Sequence, residues 1–438
     1  MFNKTVYSDE NSNRNYCPAL EENLSCEVLI VGGGLAGLSL AYQLTQQGQD
    51  FILIEAERIG DGASGLNGGF CSPGWSVGMS NLVKKYGYDD AKAFYDVSLE
   101  GLRWVHAFKD KSSFKSMDLK VGTVSLSLLK SEADARDSFL KSEFSFHKCA
   151  HFISKKELAN YVKSPEYRSG VFLESGFSFN PLNFLLALKN EIIFKRPKTI
   201  FEKTRMMGFF ETNNACQIYL TNGFSVRADK LVIATGGYGG SECGFLRTRW
   251  LPITTSIAVT SPLSAAVRKY INPNFAFSDD RRAGNYFRLV SNDRLLWGRG
   301  INALRCPDQN ALKNMARSDL KRFFPGLNDL AGQNLLGFDF VWSGKMAYSK
   351  SMMPYVGKLT SRIYALTGFG GHGMNTAPAG ATVLCEYLLG LSDRIRIFSK
   401  IPLHWNGYKF GPIAAETVYR FMAGRDVLNQ AILRFKKK

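Results

Sequence analysis

The chain has 438 residues, 45% apolar and 21% charged, with 41 glycines and a formal net charge of +17. That composition excludes a wholly disordered chain, which would be apolar-poor and charge-rich, and the length suggests about three domains or two large interleaved ones. The positive balance favours acidic or phosphorylated ligands, or simply solubility, and says nothing about fold.

Residues 1–26 are polar and rich in Asn and Ser, so they read as an arm with little intrinsic structure, and Met1 to Leu24 lacks the apolar core of a secretory signal. A continuous apolar strand follows, Val28 to Val31, then glycines and a helical run from Leu35 to Gln47, with Gly48 placed as a helix-ending glycine. Phe51 to Ile54 forms a second buried-type strand that ends in Glu55, completing one βαβ unit whose strands are apolar on both faces. The most apolar stretch, Val28 to Leu44, is interrupted by four glycines and falls short of the roughly 20 apolar residues a bilayer requires, so no membrane span is expected. Eight cysteines (17, 26, 71, 149, 216, 243, 306 and 385) form no C-x-x-C pair. They predict structural thiols in a reducing, cytoplasmic setting rather than a disulfide framework or metal site.

Residues 80–190 read as mainly helical and amphipathic, broken by the alternating segment Val121 to Leu126. A hairpin is predicted from Gln217 to Val226 around Asn222-Gly223, followed by the buried strand Leu231 to Ala234, closing on Thr235-Gly236-Gly237. Residues 253–300 are strand-like, with a turn at Ser291-Asn292-Asp293; Ile363 to Leu366 then enters another glycine loop ahead of a helix bearing Val383, Leu384, Tyr387 and Leu388. Arg434 to Lys438 reads as a solvated basic tail. Aromatic residues follow core periodicity rather than interleaving with basic ones, so no nucleic-acid partner is expected.

Chemistry concentrates in the glycine loops. Gly32-Gly33-Gly34-Leu35-Ala36-Gly37 fits G-x-G-x-x-G between a strand and a helix, a context that seats a pyrophosphate on the helix N-terminus. Glu55 stands 18 residues beyond Gly37, where a carboxylate accepts hydrogen bonds from ribose hydroxyls. Directly after it, Ala56-Glu57-Arg58-Ile59-Gly60-Asp61-Gly62-Ala63-Ser64-Gly65-Leu66-Asn67-Gly68-Gly69 forms a second glycine-rich loop. A nicotinamide enzyme has no need of it; a flavin, running on past the first crevice, requires close backbone contact there.

With these motifs the sequence resembles the FAD-dependent amine and amino-acid oxidases of the D-amino-acid oxidase (DAO) superfamily, and within it the gamma-glutamylputrescine oxidoreductase family. The likeness runs from Glu55 to Gly69 apart from Leu66, and continues through Ser178 to Asn183, Tyr286 to Leu289, Arg294 to Gly298, Trp342 to Gly344, Met353 to Gly357 and Gly368 to Gly373. It implies an α/β fold. A Rossmann-like FAD-binding domain of the glutathione-reductase type would interleave with an α+β mixed-sheet substrate domain. The expected division is an arm (1–26), FAD-binding segments (27–80, 181–250 and 346–395), a mainly helical substrate-domain segment (81–180), a second substrate segment (251–345) and a final segment (396–438).

The resemblance further implies FAD contacts from Gly32, Gly34, Leu35, Ala36, Gly37, Glu55, Ala56, Arg58, Gly62, Ala63, Ser64, Asn67, Gly68 and Gly69. Ala234, Thr235, Gly236 and Gly344 join them, with Gly370, Gly371, His372, Gly373 and Met374 in the late loop. That loop also satisfies G-x-G-x-x-G, yet no later strand ends in an acid, since Asp393 follows a loop; it is expected to close over the flavin ring instead. In the family, flavin N5 accepts a hydride from the carbon next to an amine nitrogen, the imine is hydrolysed, and O2 or another acceptor reoxidises the cofactor. His372, Lys345, Arg299 and Trp342 are the candidate catalytic residues, with Lys345 or Arg299 a source of positive charge near the ring. Relatives that oxidise glycine or D-amino acids place an arginine shortly after a W-x-G element, where this chain has Met346.

No cysteine occurs between 307 and 384, and no histidine between Gly62 and Gly69, so the FAD is expected to be non-covalent. Leu66 and Phe70 replace the family's usual Arg and Gln, which makes the ring side more apolar. The expected substrate is a small-molecule amine, such as a polyamine derivative. The alternatives are a D-amino-acid, glycine or sarcosine-type oxidase or dehydrogenase, and a flavin-binding protein without turnover.

Overall fold

The computed structural model describes residues 4–12, 14–141, 150–281, 284–327 and 336–435. Cys149 and the side chains of Arg434 to Lys438, the basic run read as a solvated tail, lie outside the described residues. In chain order the strands are β1 (Leu24–Val31), β2 (Phe51–Ile54), β3 (Phe70–Cys71), β4 (Lys120–Ser127), β5 (Ala150–Ile153), β6 (Ser169–Ser178), β7 (Ile200–Phe201), β8 (Met206–Glu211) and β9 (Cys216–Leu220). They continue with β10 (Ser225–Ile233), β11 (Trp250–Thr260), β12 (Ala276–Asp279), β13 (Tyr286–Val290), β14 (Arg294–Asn302), β15 (Phe338–Ser349), β16 (Tyr355–Lys358) and β17 (Ile363–Thr367).

The first sheet has eight strands, with the path β16-β17-β10-β1-β2-β7 and the β8–β9 pair attached to β10. Its centre is parallel: β1 pairs with both β10 and β2, and β10 with β17. Strands buried on both faces explain the unbroken apolar runs. One face, through Val28, Ile30, Phe51 and Leu53, packs against the helices Leu35–Gln46, Pro181–Lys195 and Gly373–Leu388. The other face, through Leu29, Val31, Ile52 and Ile54, packs on Met206, Cys216 and Ile218 of the β8–β9 hairpin.

The second sheet has nine strands in the path β15-β11-β14-β13-β12-β4-β6-β3, with β5 on β6. It is mixed, parallel at β12–β4 and antiparallel elsewhere. Stacked Phe277, Phe287 and Trp297 side chains fill one face against the helix Gln309–Phe323. From the opposite face Ile257, Leu296, Phe340 and Trp342 meet Val6, Tyr7 and Leu182.

One sequence expectation is refined and one is corrected. Helices outweigh strands in the stretch 80–190 and β4 covers the expected break, but β5 and β6 interrupt it as well. Ser169–Ser178 carries a charge and two glycines in an uneven apolar pattern, and pairing on both sides with β4 and β5 makes it a strand. The arm is also structured: Thr5 caps a short helix, Val6–Glu10, and Val6 and Tyr7 are buried. Elsewhere the predicted pattern matches closely, with the first helix ending at Gln46, Gly48 at φ +70°, and Ser291–Asp293 joining β13 to β14.

Candidate cofactor and substrate cavity

A cavity of about 310 Å³ opens at the carboxyl ends of β1, β2, β10 and β17. In open parallel sheets this is the end at which ligands bind. The turn after β1 builds its floor. Gly32 has φ +115°, and a Cβ there would stand 2.6 Å from the Ala234 carbonyl oxygen. A Cβ on Gly37 would meet the Gly32 carbonyl at 2.0 Å, so the helix packs on the turn only because that position is bare. Gly34 is the N-cap of Leu35–Gln46 and supplies no side-chain cap; Leu35 N–H donates to Ser64 Oγ at 2.9 Å. The start of Gly373–Leu388 has no side-chain cap either, and Gly373 and Met374 line the same cavity. Two long helices therefore turn their partly positive ends toward one space.

Glu55 faces this space. Its Oε2 accepts the Gly33 N–H at 2.7 Å and its Oε1 the Glu57 N–H at 2.9 Å. Burial pushes its carboxyl above the usual carboxylate range, against the opposing pull of those two donors.

Of the residues expected to hold FAD, Gly32, Gly34, Leu35, Ala36, Glu55, Ala56, Gly62, Ala63, Ser64 and Asn67 line the cavity. Ala234, Thr235, Gly236, Gly370, Gly371, Gly373 and Met374 also line it. Six lie outside the lining. Gly37 is packed beneath the turn, and Arg58 stacks on the Tyr16 ring at 4.3 Å while donating to its hydroxyl. Gly68 accepts from Arg288 Nε at 2.8 Å, and Gly69 accepts the Phe179 N–H at 2.9 Å, tying the second loop to the other sheet. Gly344 lies against Leu66 and Ala63. His372 places Nε2 3.1 Å from the Ser72 carbonyl oxygen, and burial lowers its pKa.

The catalytic candidates separate. Lys345 lines the cavity and is exposed, its backbone N–H donating to Tyr238 Oη at 3.2 Å. Arg299 is turned away into an ion pair with Asp319 at 3.1 Å. Trp342 is a core residue, 1% exposed, whose indole donates to the Leu66 carbonyl at 2.8 Å. Leu66 itself packs with Trp342 and Tyr7, so its apolar character serves the core rather than the open cavity.

Sequence reasoning missed Asp61, Thr204, Arg205, Met206, Tyr238 and Thr367 as lining residues. Thr204 to Met206 arrive because β7, only two residues long, pairs with β2 and carries the next turn past Glu55. Asp61 Oδ2 and Thr367 Oγ1 are buried without a hydrogen-bond partner, and both residues line the cavity. Orphaned polar atoms beside two uncapped helix ends are what a polar, phosphate-bearing cofactor such as FAD would satisfy.

Behind the second loop runs the arm. Tyr7, 1% exposed, sits edge-on to Trp342 at 5.9 Å and within 3.3 Å of Arg288, the side chains that hold the Leu66 and Gly68 carbonyls. Arg14 pairs with Asp61 at 2.6 Å. Cys17 N–H donates to one oxygen of Glu202 while Ile59 N–H donates to the other, both at 2.6 Å.

Residues 27–387 match the family model DAO, FAD dependent oxidoreductase. The chain is 27% identical to gamma-glutamylputrescine oxidoreductase of Escherichia coli, over 89% of this chain and 90% of that one. It is 26% identical to a probable oxidoreductase OrdL of Haemophilus influenzae, covering 92% and 93%. Among solved structures, L-proline dehydrogenase from P. horikoshii superposes with a TM-score of 0.68 at 18% identity, covering 92% of this chain and 99% of that one.

Proposed function

The chain belongs to the DAO family of FAD-dependent oxidoreductases, and from that premise we propose that it oxidises a C–N bond of an extended amine, gamma-glutamylputrescine or a similar polyamine derivative. The observation that carries the substrate class is Met346, which lines the cavity and lies against Gly371 of the late loop. A thioether cannot grip a carboxylate as an arginine does at that place in relatives that oxidise glycine or D-amino acids. Arg299 does not make up the loss, being paired with Asp319.

FAD, when bound, supplies a hydride acceptor for the carbon next to a neutral amine nitrogen, and water hydrolyses the released imine. The chain's own residues hold and shield. Gly32, Gly34, Leu35 and Ala36 would seat the pyrophosphate, Glu55 a ribose hydroxyl, and Gly370 to Met374 the far end of the cofactor, with the helix Gly373–Leu388 favouring negative charge there. Met346, Phe369 and Leu366 line the cavity and exclude water. Lys345, exposed at its edge, suits the distant carboxylate of a glutamylated amine.

Lys345 also favours a second reading, an amino-acid or sarcosine-type substrate whose carboxylate it would pair. A non-covalent cofactor, O2 as acceptor, the seven-segment division of the chain and a cytoplasmic setting complete the proposal. The last is supported by seven described cysteines, none in a disulfide.

Anaerobic flavin bleaching tests it. The FAD-loaded chain is expected to bleach with glutamylated or free polyamines, and acid precipitation is expected to release the yellow colour. Faster bleaching by glycine, sarcosine or D-amino acids would favour the second reading, and no bleaching by any amine would leave a flavin-binding protein without turnover.

A further inference from the structure

The longest helix among the described residues, Gly411–Phe435, turns its apolar side the wrong way for a soluble fold. Its inward positions include the polar residues Glu416, Asp426 and Gln430. Glu416 accepts the Ala303 N–H at 2.8 Å, while Asp426 and Gln430 are 6% and 7% exposed. Outward stand Val418 at 51%, Phe421 at 74%, Leu428 at 60% and Ile432 at 45% exposure, spaced 3, 7 and 4 residues apart, one stripe of a helix. Trp405 and Phe410, 59% and 74% exposed, lie just ahead of it. Nine of the 22 large apolar side chains exposed among the described residues fall between 405 and 432, a clustering that isolated surface residues do not produce.

Charge selects what covers this stripe. From Trp405 onward the sequence holds two acids, Glu416 and Asp426, against seven cations. Both acids face inward, whereas Arg420 and Arg425 are exposed. Arg425 interrupts the stripe between Phe421 and Leu428. In a pair of identical helices that position would bring like charges together. At a bilayer, an arginine beside apolar anchors reaches up to the headgroups while its stem stays buried. Exposed Phe and Leu with Arg on a helix too polar to span, and Trp405 and Lys409 just ahead of it, is the composition of an interfacial helix. No helix among the described residues is long and apolar enough to cross a membrane.

We propose that Gly411–Phe435, with Trp405 and Phe410, docks the protein flat on an anionic phospholipid surface, its apolar stripe in the acyl boundary and its arginines on the headgroups. Such binding combines buried apolar area with a contribution from each basic residue near the surface.

Flotation of the full-length, FAD-loaded protein with phosphatidylcholine vesicles, with and without phosphatidylglycerol, tests this. Binding to phosphatidylglycerol vesicles is expected to be at least about tenfold stronger than to neutral ones and to weaken with salt. The double variant Phe421→Glu with Leu428→Glu, at exposed positions, is expected to lose binding while keeping the flavin spectrum. Sedimentation equilibrium supplies the rival outcome: a dimer that this variant dissociates would assign the stripe to a second copy and overturn the proposal. Failure to bind anionic vesicles, or binding indifferent to lipid charge, would overturn it equally.

Discussion

The first twenty residues and the last described helix are opposites. The arm is polar in sequence, yet Thr5 to Tyr7, Cys17 and Leu20 are buried, and groups along it meet partners far along the chain: Arg14 at Asp61, Cys17 at Glu202, Leu20 at Thr204. The helix Gly411–Phe435 is regular and rich in apolar residues, yet much of its apolar surface faces outward. Local composition therefore misjudges both. Burial follows from the partners available at a distance, whereas a helix closes its backbone hydrogen bonds within itself and can leave one side unpartnered.

Substitutions at the two ends should differ accordingly, and four measurements sharpen or break the contrast. The largest effect is expected from Tyr7→Ala, which opens a cavity between Trp342 and Arg288 and should cost about 3–5 kcal/mol in denaturant unfolding; a loss below about 1 kcal/mol would mean the arm rides on the surface. Next is Arg14→Ala, which strands the Asp61 carboxylate and should cost about 2 kcal/mol. Because Asp61 lines the cavity, the same variant should raise the FAD dissociation constant, and Arg14→Lys should restore part of it.

A smaller effect at neither end gives a reference. Burial holds His372 below the ordinary histidine value of about 6.5. On acidification the unfolded chain takes up a proton that the folded chain refuses. Its contribution to stability is thus complete above about 6.5 and is lost as pH falls below that. Unfolding curves on either side of that pH should show the slope in the parent and its flattening in His372→Asn. The smallest effect is expected from Phe421→Ser, within about 0.5 kcal/mol of the parent in detergent-free solution. A large loss there would show that the stripe is packed after all.

What the sequence revealed and what it hid divide along the same line. The strand–glycine–helix–strand unit and Glu55 were legible because the contacts that mark them, Gly37 on Gly32, Glu55 at Gly33 and Ser64 at Leu35, fall within Val28 to Gly69. The late loop was legible for the same reason, its glycines lying between β17 and the helix that follows. Arg288 has no local mark: it reads as one more residue of an alternating strand, and only the fold brings it to Gly68, Phe179 and Tyr7. Thr204 to Met206 were hidden because a strand of two residues leaves no period to detect. Arg299, a plausible cation by spacing, was claimed by Asp319, which the sequence places 20 residues away.

The reach of Tyr7 has a consequence for how the molecule is made. Tyr7 and Arg288 are 281 residues apart, and Trp342 is farther still, so during synthesis the opening segment leaves the ribosome long before anything exists for it to bind. Contacts at such separation form late and slowly. The scaffold behind the second glycine loop is therefore finished only after β15 has emerged, long after the βαβ unit that carries the loop.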